Sequence, residues 1–385
     1  MHAADATALR RTSIIRGMQT PSESPEFIGA EATVPLLTAV AAMATTETLR
    51  EFAGMQTPAH FDGAAAELAA LTSSCGVYDL GWRARLRITG EDRVRWLNGM
   101  VTNTVKDLPA GRLNYTFLLN AQGRIQGDGE VYALDKELLL VTHKAQAQKL
   151  AEHLDRFIIM DEVELALDDS AEALGLAGPH AEAMLAKLGL SAETMAAGSL
   201  ALHDGVVAAK DDAGHFTLWV EPTAIPALWN KLIAAGAVPC GIDAVESLRV
   251  LEGRPRYGID IHEKTLAQET GQMRALNFNK GCYLGQEIVE RIRSRATVHR
   301  GICCIALDGA LPAPGESLFA ESTPDTVLGT LTSITAVDNP ALPDALRGVF
   351  ALGTVRTEAA GSTLRYAGGM ARILDRAPVS HQATQ

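Results

Sequence analysis

The sequence predicts an α+β body followed by a small all-β barrel, and three observations lead there. Strand-like runs with two-fold alternation and amphipathic helical runs follow one another from Arg83 to about Ala235. After Arg300 helical periodicity stops, and short strand-like runs are separated by Pro and Gly clusters, the pattern of a barrel or sandwich of about 75 residues. The length of 385 residues corresponds to two or three domains. The expected division is an N-terminal extension over 1–40, partly mobile, a body over 41–296, a barrel over 297–375 and a tail over 376–385.

Taken in order, RARLRIT reads as a strand and GEDRVRWLNGMVT as a short helix opening on acidic residues. NYTFLLN, AQGR and IQGDGEVYAL form a hairpin around a glycine-containing turn. ELLLVT is a strand, KAQAQKLAEHLDRF an amphipathic helix and DEVELAL a strand. EALGLAG with PHAEAMLAKLGL, and HFTLWV with the stretch from Thr223 to Ala235, repeat the strand and helix alternation. Barrel strands are expected at Ile302–Leu307, Thr326–Ala336, Arg347–Val355 and Ser362–Tyr366.

Composition narrows the function. Hydrophobic residues at 47% and charged residues at 21% are ordinary globular usage, which excludes wholesale disorder and fibrous classes. With 34 basic against 46 acidic residues the net charge is -12, which argues against nucleic acid and a polybasic membrane surface. No window holds eighteen uninterrupted apolar residues, so no membrane span is expected. Cys75, Cys240, Cys282, Cys303 and Cys304 form no CxxC and no zinc-type ladder, so neither a disulfide framework nor a metal site is expected, and the cytoplasm is the expected compartment. Arg10, Arg11 and Arg16 lie too far upstream of the apolar run Val34–Ala44, with Glu23, Glu26 and Glu31 between, for a secretion signal. GMQTP occurs at Gly17–Pro21 and again at Gly54–Pro58, too short a duplication to define a repeat architecture.

The stretch from Asn277 to Arg300, NFNKGCYLGQEIVERIRSRATVHR, carries the chemistry. Cys282 is bracketed by Gly281 and Gly285, which permit tight turns and close approach by a ligand. Lys280 and the start of the helix in GQEIVERI both favour a thiolate, the nucleophilic form; the alternative is a small buried hydrophobe. Lys280, Arg291, Arg293, Arg295 and Arg300 against Glu287 and Glu290 make a positive island, either a focus for an anionic small molecule or a solvated, locally ion-paired helix face.

KGCYLGQE, preceded by SLRVLEGRPRYGIDI (Ser247–Ile261) and followed by the arginine-rich segment, resembles the signature of the YgfZ family, folate-binding proteins linked to iron–sulfur enzyme maintenance within the glycine-cleavage T-protein (aminomethyltransferase) superfamily. The resemblance runs from GVYDL at Gly76 through GRLNYTFLLNAQGRI to the barrel and covers roughly residues 45 to 375. It implies a three-lobed body, two intertwined α+β lobes with ferredoxin-like elements plus a C-terminal β-barrel, around a cavity for tetrahydrofolate or a one-carbon-substituted form. Asp128 matches the aspartate that contacts the folate nitrogen handling the one-carbon unit. Read from its neighbours, Asp128 lies between Gly127 and Gly129, where a planar ligand could approach, or else is a bulge aspartate. Tyr115 matches a tyrosine that packs on folate, and is otherwise a half-buried strand aromatic. Arg249 matches a folate-cavity arginine, and is otherwise paired with Glu246 or Glu252.

The resemblance also implies folate contacts at Tyr257, Tyr283, Gln286, Glu287 and Arg295, and roles for Lys280 and Asp128 beside the reactive Cys282. Two positions depart from the pattern. His215, Phe216 and Thr217 stand where T-proteins carry GFE, so the pterin-reading glutamate is missing, and Ala296 replaces the usual glycine of RGxxxR. The function implied is assembly or repair of iron–sulfur enzymes by a folate-binding protein, with client enzymes or assembly proteins as partners. The alternatives are an aminomethyltransferase and a non-catalytic folate-sensing scaffold.

Overall fold

In a computed structural model describing residues 36–43, 48–190, 194–295, 298–321, 323–359 and 361–380, the alternating runs become one long sheet and a closed barrel. The expected N-terminal extension, with the first GMQTP, lies outside the described residues apart from its last few positions. The described chain opens with β1 (Leu36–Leu37), α1 (Ala39–Met43), β2 (Leu49–Phe52) and β3 (Met55–Pro58), the strands ordered β1-β3-β2. The second GMQTP therefore forms a hairpin strand, with Ala53 and Gly54 at positive φ in the turn before it.

Helix α2 (Ala64–Ser73) and strand β4 (Gly76–Asp79) precede two units of identical element order. The first comprises β5 (Arg83–Thr89), α3 (Arg93–Met100), β6 (Arg112–Leu119), β7 (Ile125–Ala133), β8 (Leu138–His143), α4 (Lys144–Asp155) and β9 (Glu164–Asp168). The second comprises β10 (Glu172–Ala177), α5 (Ala181–Lys187), β11 (Ser199–His203), β12 (Val206–Lys210), β13 (Phe216–Val220), α6 (Ile225–Ala234) and β14 (Val238–Cys240). They share a sheet of order β14-β4-β10-β13-β12-β11-β6-β7-β8-β5-β9 and meet edge to edge where Ser199 pairs with Arg112. Because β4 precedes the first unit in sequence but lies between β14 and β10 of the second, the two lobes are intertwined.

The hairpin of β11 and β12 adds to the elements expected from the sequence. Its turn, Asp204 and Gly205, has both residues at positive φ, the conformation that a two-residue Asp-Gly connection favours.

Each lobe buries one face of its sheet beneath its own helices. Leu97 of α3 and Leu150 and Leu154 of α4 pack on Ile88, Val131 and Leu140. Leu185 of α5 and Leu228 and Leu232 of α6 pack on Leu174 and Leu218. The opposite face, with Tyr78, Trp82, Tyr132, Val141 and Trp219, packs against α2, helix α7 (Ile242–Leu251) and the barrel. Beyond α8 (Gln286–Arg295), strands β15 (Arg300–Gly309), β16 (Ser317–Ala320), β17 (Thr323–Val337), β18 (Gly348–Arg356), β19 (Leu364–Tyr366) and β20 (Gly369–Ile373) close in the order β15-β18-β17-β16-β19-β20. The short strands β16 and β20 complete the barrel beside the four expected ones. Among the described residues no helix is long and apolar enough to cross a membrane.

Candidate functional site

The face of the sheet away from its lobe helices forms one wall of a cavity of about 180 Å³. Asp128 and Tyr115 project into it from the paired strands β7 and β6, together with Arg83, Glu130, Thr142 and His143. Helix α7 and the loop behind it supply the other wall through Glu246, Arg249, Glu252, Arg254 and Arg256.

Asp128 is a buried carboxylate. The Tyr115 hydroxyl donates to its Oδ2 at 2.7 Å and Gln146 Nε2 donates to its Oδ1 at 2.8 Å, and among the described residues no cation is bonded to it. Burial raises its pKa, with the two hydrogen bonds opposing that shift. Burial and the neighbouring Asp128 charge also push the Tyr115 phenol well above its ordinary value, so Tyr115 remains a donor. The flanking glycines serve packing. A Cβ on Gly127 would lie 2.7 Å from Gln146 and Leu150 of α4, and one on Gly129 would lie 2.7 Å from the Val141 carbonyl. The open ground expected around Asp128 for a planar ligand is thus taken by the protein itself at Gly127, and the ligand face is the cavity side.

Arg249 lines the cavity, and its five N–H donors are already committed. Nε and Nη2 hold Glu246 at 3.0 and 3.1 Å, Nη1 holds the Arg254 carbonyl at 2.7 Å and Asp260 at 2.8 Å, and Nη2 also reaches Ser333 of the barrel at 2.7 Å. The ion pair with Glu246 is the one weighed from the sequence. Arg249 ties α7 to the barrel and offers a ligand its planar face rather than a fork. Thr217 and His215 also line the cavity; His215 Nε2 lies 2.8 Å from Glu252, so a carboxylate from α7's end stands in this wall.

The cysteine loop is placed elsewhere. None of residues 280–287 lines the cavity. Cys282 is exposed, whereas Cys75 and Cys240 are buried and Cys303 and Cys304 half-buried. Gly281 and Gly285 have φ of +91° and +82°, the tight turns expected, but the close approach at Gly285 is by the Asn120 carbonyl of the β6–β7 turn. Lys280 does not face Cys282. Its ammonium donates to the carbonyls of Asn98 and Val101 at the end of α3 and lies 4.8 Å from the Tyr283 ring centre, while burial pushes its pKa down to about 7.

Tyr283 is buried with Phe117, Leu119 and Val289, and among the described residues its hydroxyl has no partner. Gln286 accepts a bond from the Tyr283 amide at 3.3 Å, and Glu287 is paired with Arg291 at 2.8 Å on the outer face of α8. Tyr257 lies beside Lys149, whose ammonium is 3.4 Å from its hydroxyl. The side chain of Arg295, and Ala296 entirely, lie outside the described residues. Of the positive island, Arg293 pairs with Glu290 at 3.5 Å and Arg300 with Glu269 at 2.9 Å. The solvated, ion-paired reading thus describes these arginines.

Sequence reasoning did not find Gln146, Arg83, Glu130, His143, Arg254, Arg256 or Arg274. A signal existed for Glu130, two residues beyond Asp128 and so on the same strand face.

Comparison with known proteins places this architecture. A family model described as the GCVT N-terminal domain matches residues 41–280, more than half of the chain. An Arabidopsis thaliana protein described as a putative chloroplastic transferase is 26% identical over 331 residues, covering 83% of this chain and 74% of that protein. An aminomethyltransferase of Rubrobacter xylanophilus is 29% identical over 259 residues, covering 64% of this chain and 69% of the relative. The crystal structure of the glycine cleavage system aminomethyltransferase T from Bartonella henselae superposes with a TM-score of 0.80 over 90% of this chain and 98% of that one, at 19% identity, which shows a shared fold.

Proposed function

Since the chain belongs to the GCVT N-terminal domain family, we propose that its central cavity binds tetrahydrofolate or a one-carbon-substituted form, and that the protein is a YgfZ-like cytoplasmic factor for iron–sulfur enzyme assembly or repair. The observation that carries the folate reading is Asp128, a cavity carboxylate with a raised pKa held by Tyr115 and Gln146 and, among the described residues, bonded to no cation. Such a group accepts a hydrogen bond from, or exchanges a proton with, a ring amine. The lining suits a reduced pterin: Phe52, Trp82 and Tyr115 offer aromatic surface to a planar ring. When bound, tetrahydrofolate supplies nitrogens that carry a one-carbon unit.

Cys282 supports the maintenance role. It is the exposed thiol of the chain, held on a loop that KGCYLGQE builds against the β6–β7 turn and away from the cavity, where a client protein can reach it. On this reading the body over 41–296 furnishes the folate site and the loop, and the barrel over 297–375 braces the cavity's Arg249 through Ser333. Aminomethyl transfer to the folate is the second reading, favoured by the cavity placement of Asp128 and by the two relatives' descriptions as a transferase and an aminomethyltransferase.

Calorimetric titration with tetrahydrofolate tests the shared part: saturable binding weakened by Asp128→Asn supports it, and no binding at millimolar ligand refutes it. Rescue of iron–sulfur enzyme activity in cells lacking the protein separates the two readings. Loss of rescue in Cys282→Ser with turnover on a lipoyl carrier absent supports maintenance; lipoyl-dependent turnover that survives Cys282→Ser and fails in Asp128→Asn supports transfer.

A further inference from the structure

The arginines of the cavity are not equally occupied. Arg249 has spent all five donors, Arg254 is held by Asp211 at 2.7 Å, and Arg274 is bonded to Asp212 and Gln272 with its guanidinium 4.5 Å from the Tyr115 ring centre. Arg256 is different. Among the described residues its guanidinium makes one side-chain bond, 3.3 Å to Glu246 Oε1, and that carboxylate is already gripped by two nitrogens of Arg249. The Arg256 side chain is 12% exposed and rests on the Phe52 ring at 4.0 Å, which fixes its plane within the cavity. One further donor lines the same cavity: His143 makes an edge contact with Trp82 at 5.0 Å and, among the described residues, no side-chain hydrogen bond.

We infer that Arg256, with His143 beside it, forms a carboxylate-binding subsite in the cavity, separate from the Asp128 site. A guanidinium with free N–H groups and a fixed plane matches a carboxylate bidentately, and a neutral imidazole adds one donor. The subsite rests on the reading that the cavity binds folate insofar as the carboxylate is the folate's own glutamate tail. A separate small carboxylate such as glycine would use the same donors.

The test is calorimetry of the full chain with tetrahydrofolate, the carboxamide of tetrahydropteroate, which lacks the glutamate and carries no carboxylate, and glycine added to the complex of that amide. If the tail is the source, tetrahydrofolate binds the native protein roughly ten- to hundredfold more tightly than the amide, the range of a charge-assisted pair, and Arg256→Gln abolishes the difference. If a separate carboxylate is the source, the two pterins bind alike and glycine binding is lost in Arg256→Gln. Equal weakening of every ligand by Arg256→Gln, or no change with any of them, overturns the subsite. Arg256→Lys and His143→Phe, which keep a cation near Glu246 and an aromatic ring against Trp82, must each weaken the carboxylate-dependent part alone, and circular dichroism checks their folding. If no pterin binds, the folate reading fails by itself, and the subsite is judged by glycine titrated onto the native protein and Arg256→Gln.

Discussion

Gly281 and Gly285 flank Cys282 and form a paired experiment on how rigidly that thiol is presented. Both glycines have φ in the left-handed region, so an alanine at either position meets a backbone cost of about 1–2 kcal/mol. At Gly281 nothing lies within 4 Å of an added Cβ, and the cost stops there. At Gly285 the Cβ falls 2.6 Å from the Asn120 carbonyl oxygen, 3.0 Å from Leu119 Cβ and 3.2 Å from Gly123 Cα. Two of those are backbone atoms and cannot step aside, so overpacking adds about 1–3 kcal/mol. Gly281→Ala should therefore cost about 1–2 kcal/mol and Gly285→Ala roughly 2–5 kcal/mol, a large part of an ordinary domain's stability. Urea denaturation at constant m reads both values. Alkylation of Cys282 in the native protein reads the loop: Gly285→Ala should change the rate more than Gly281→Ala does. Equal midpoints for the two variants would mean that the loop is not wedged against the β6–β7 turn, and would refute the geometry on which the presentation of Cys282 rests.

Other measurements follow from the same contacts. Arg249→Ala leaves Asp260 buried without its guanidinium, so it should destabilise by about 3–5 kcal/mol in denaturant, more than loss of a surface pair would. Asp128 has a folded pKa raised by burial, so its contribution to stability is full below its unfolded pKa and is lost as pH rises through the folded value; Asp128→Asn should remove that loss, and thermal melts from pH 4 to 8 should show the native protein falling relative to the variant. The His215 pKa is raised by Glu252 and Asp211 against burial, so this residue's contribution is present below its unfolded pKa and disappears as pH rises through the folded one; melts of His215→Gln should be flatter across that window. Limited alkylation of the native chain should label Cys282 first, and Cys282→Ser should abolish the fast phase by mass spectrometry.

The legible parts of this molecule are the ones whose signal is local. RARLRIT and ELLLVT became β5 and β8 because strand alternation or a short apolar run is complete within seven residues. SLALH and VVAAK, which became β11 and β12, have small residues and weak alternation, and only the Asp204-Gly205 turn marked them. In the site, Asp128 and Tyr115 were reachable through the family motif, and their mutual hydrogen bond follows from neighbouring positions on one hairpin. Gln146 was not, since a glutamine in the first turn of an amphipathic helix has the same sequence signal whether it faces water or a carboxylate. Lys280 misled because two residues of separation suggest contact with Cys282, yet Gly281 turns the chain and sends the ammonium to α3 instead. Pairs such as Arg83 with Glu130 or Arg254 with Asp211 join residues more than forty apart and depend on tertiary contact.

The β6–β7 hairpin carries both candidate sites at different points along its length. Tyr115 and Asp128 stand at its middle on the cavity side, while the turn from Asn120 to Gly123 is the surface on which Gly285 and Ile288 rest. Phe117, between the two, contacts Tyr115 at 5.5 Å and belongs to the same apolar cluster as Tyr283, one residue from Cys282. The Asp128 cavity and the thiol loop thus meet the middle and the turn of one hairpin and are not members of one cluster, and a single substitution should not disable both. A change at Asp128 acts on the cavity and leaves the packing of Gly285 intact. A change at Gly285 moves the thiol, with Phe117 and Tyr115 still anchored by strand pairing to β7. Functions that require direct chemistry between the thiol and the bound pterin are disfavoured by this separation; those in which folate binding and thiol contact are distinct events on one scaffold are favoured.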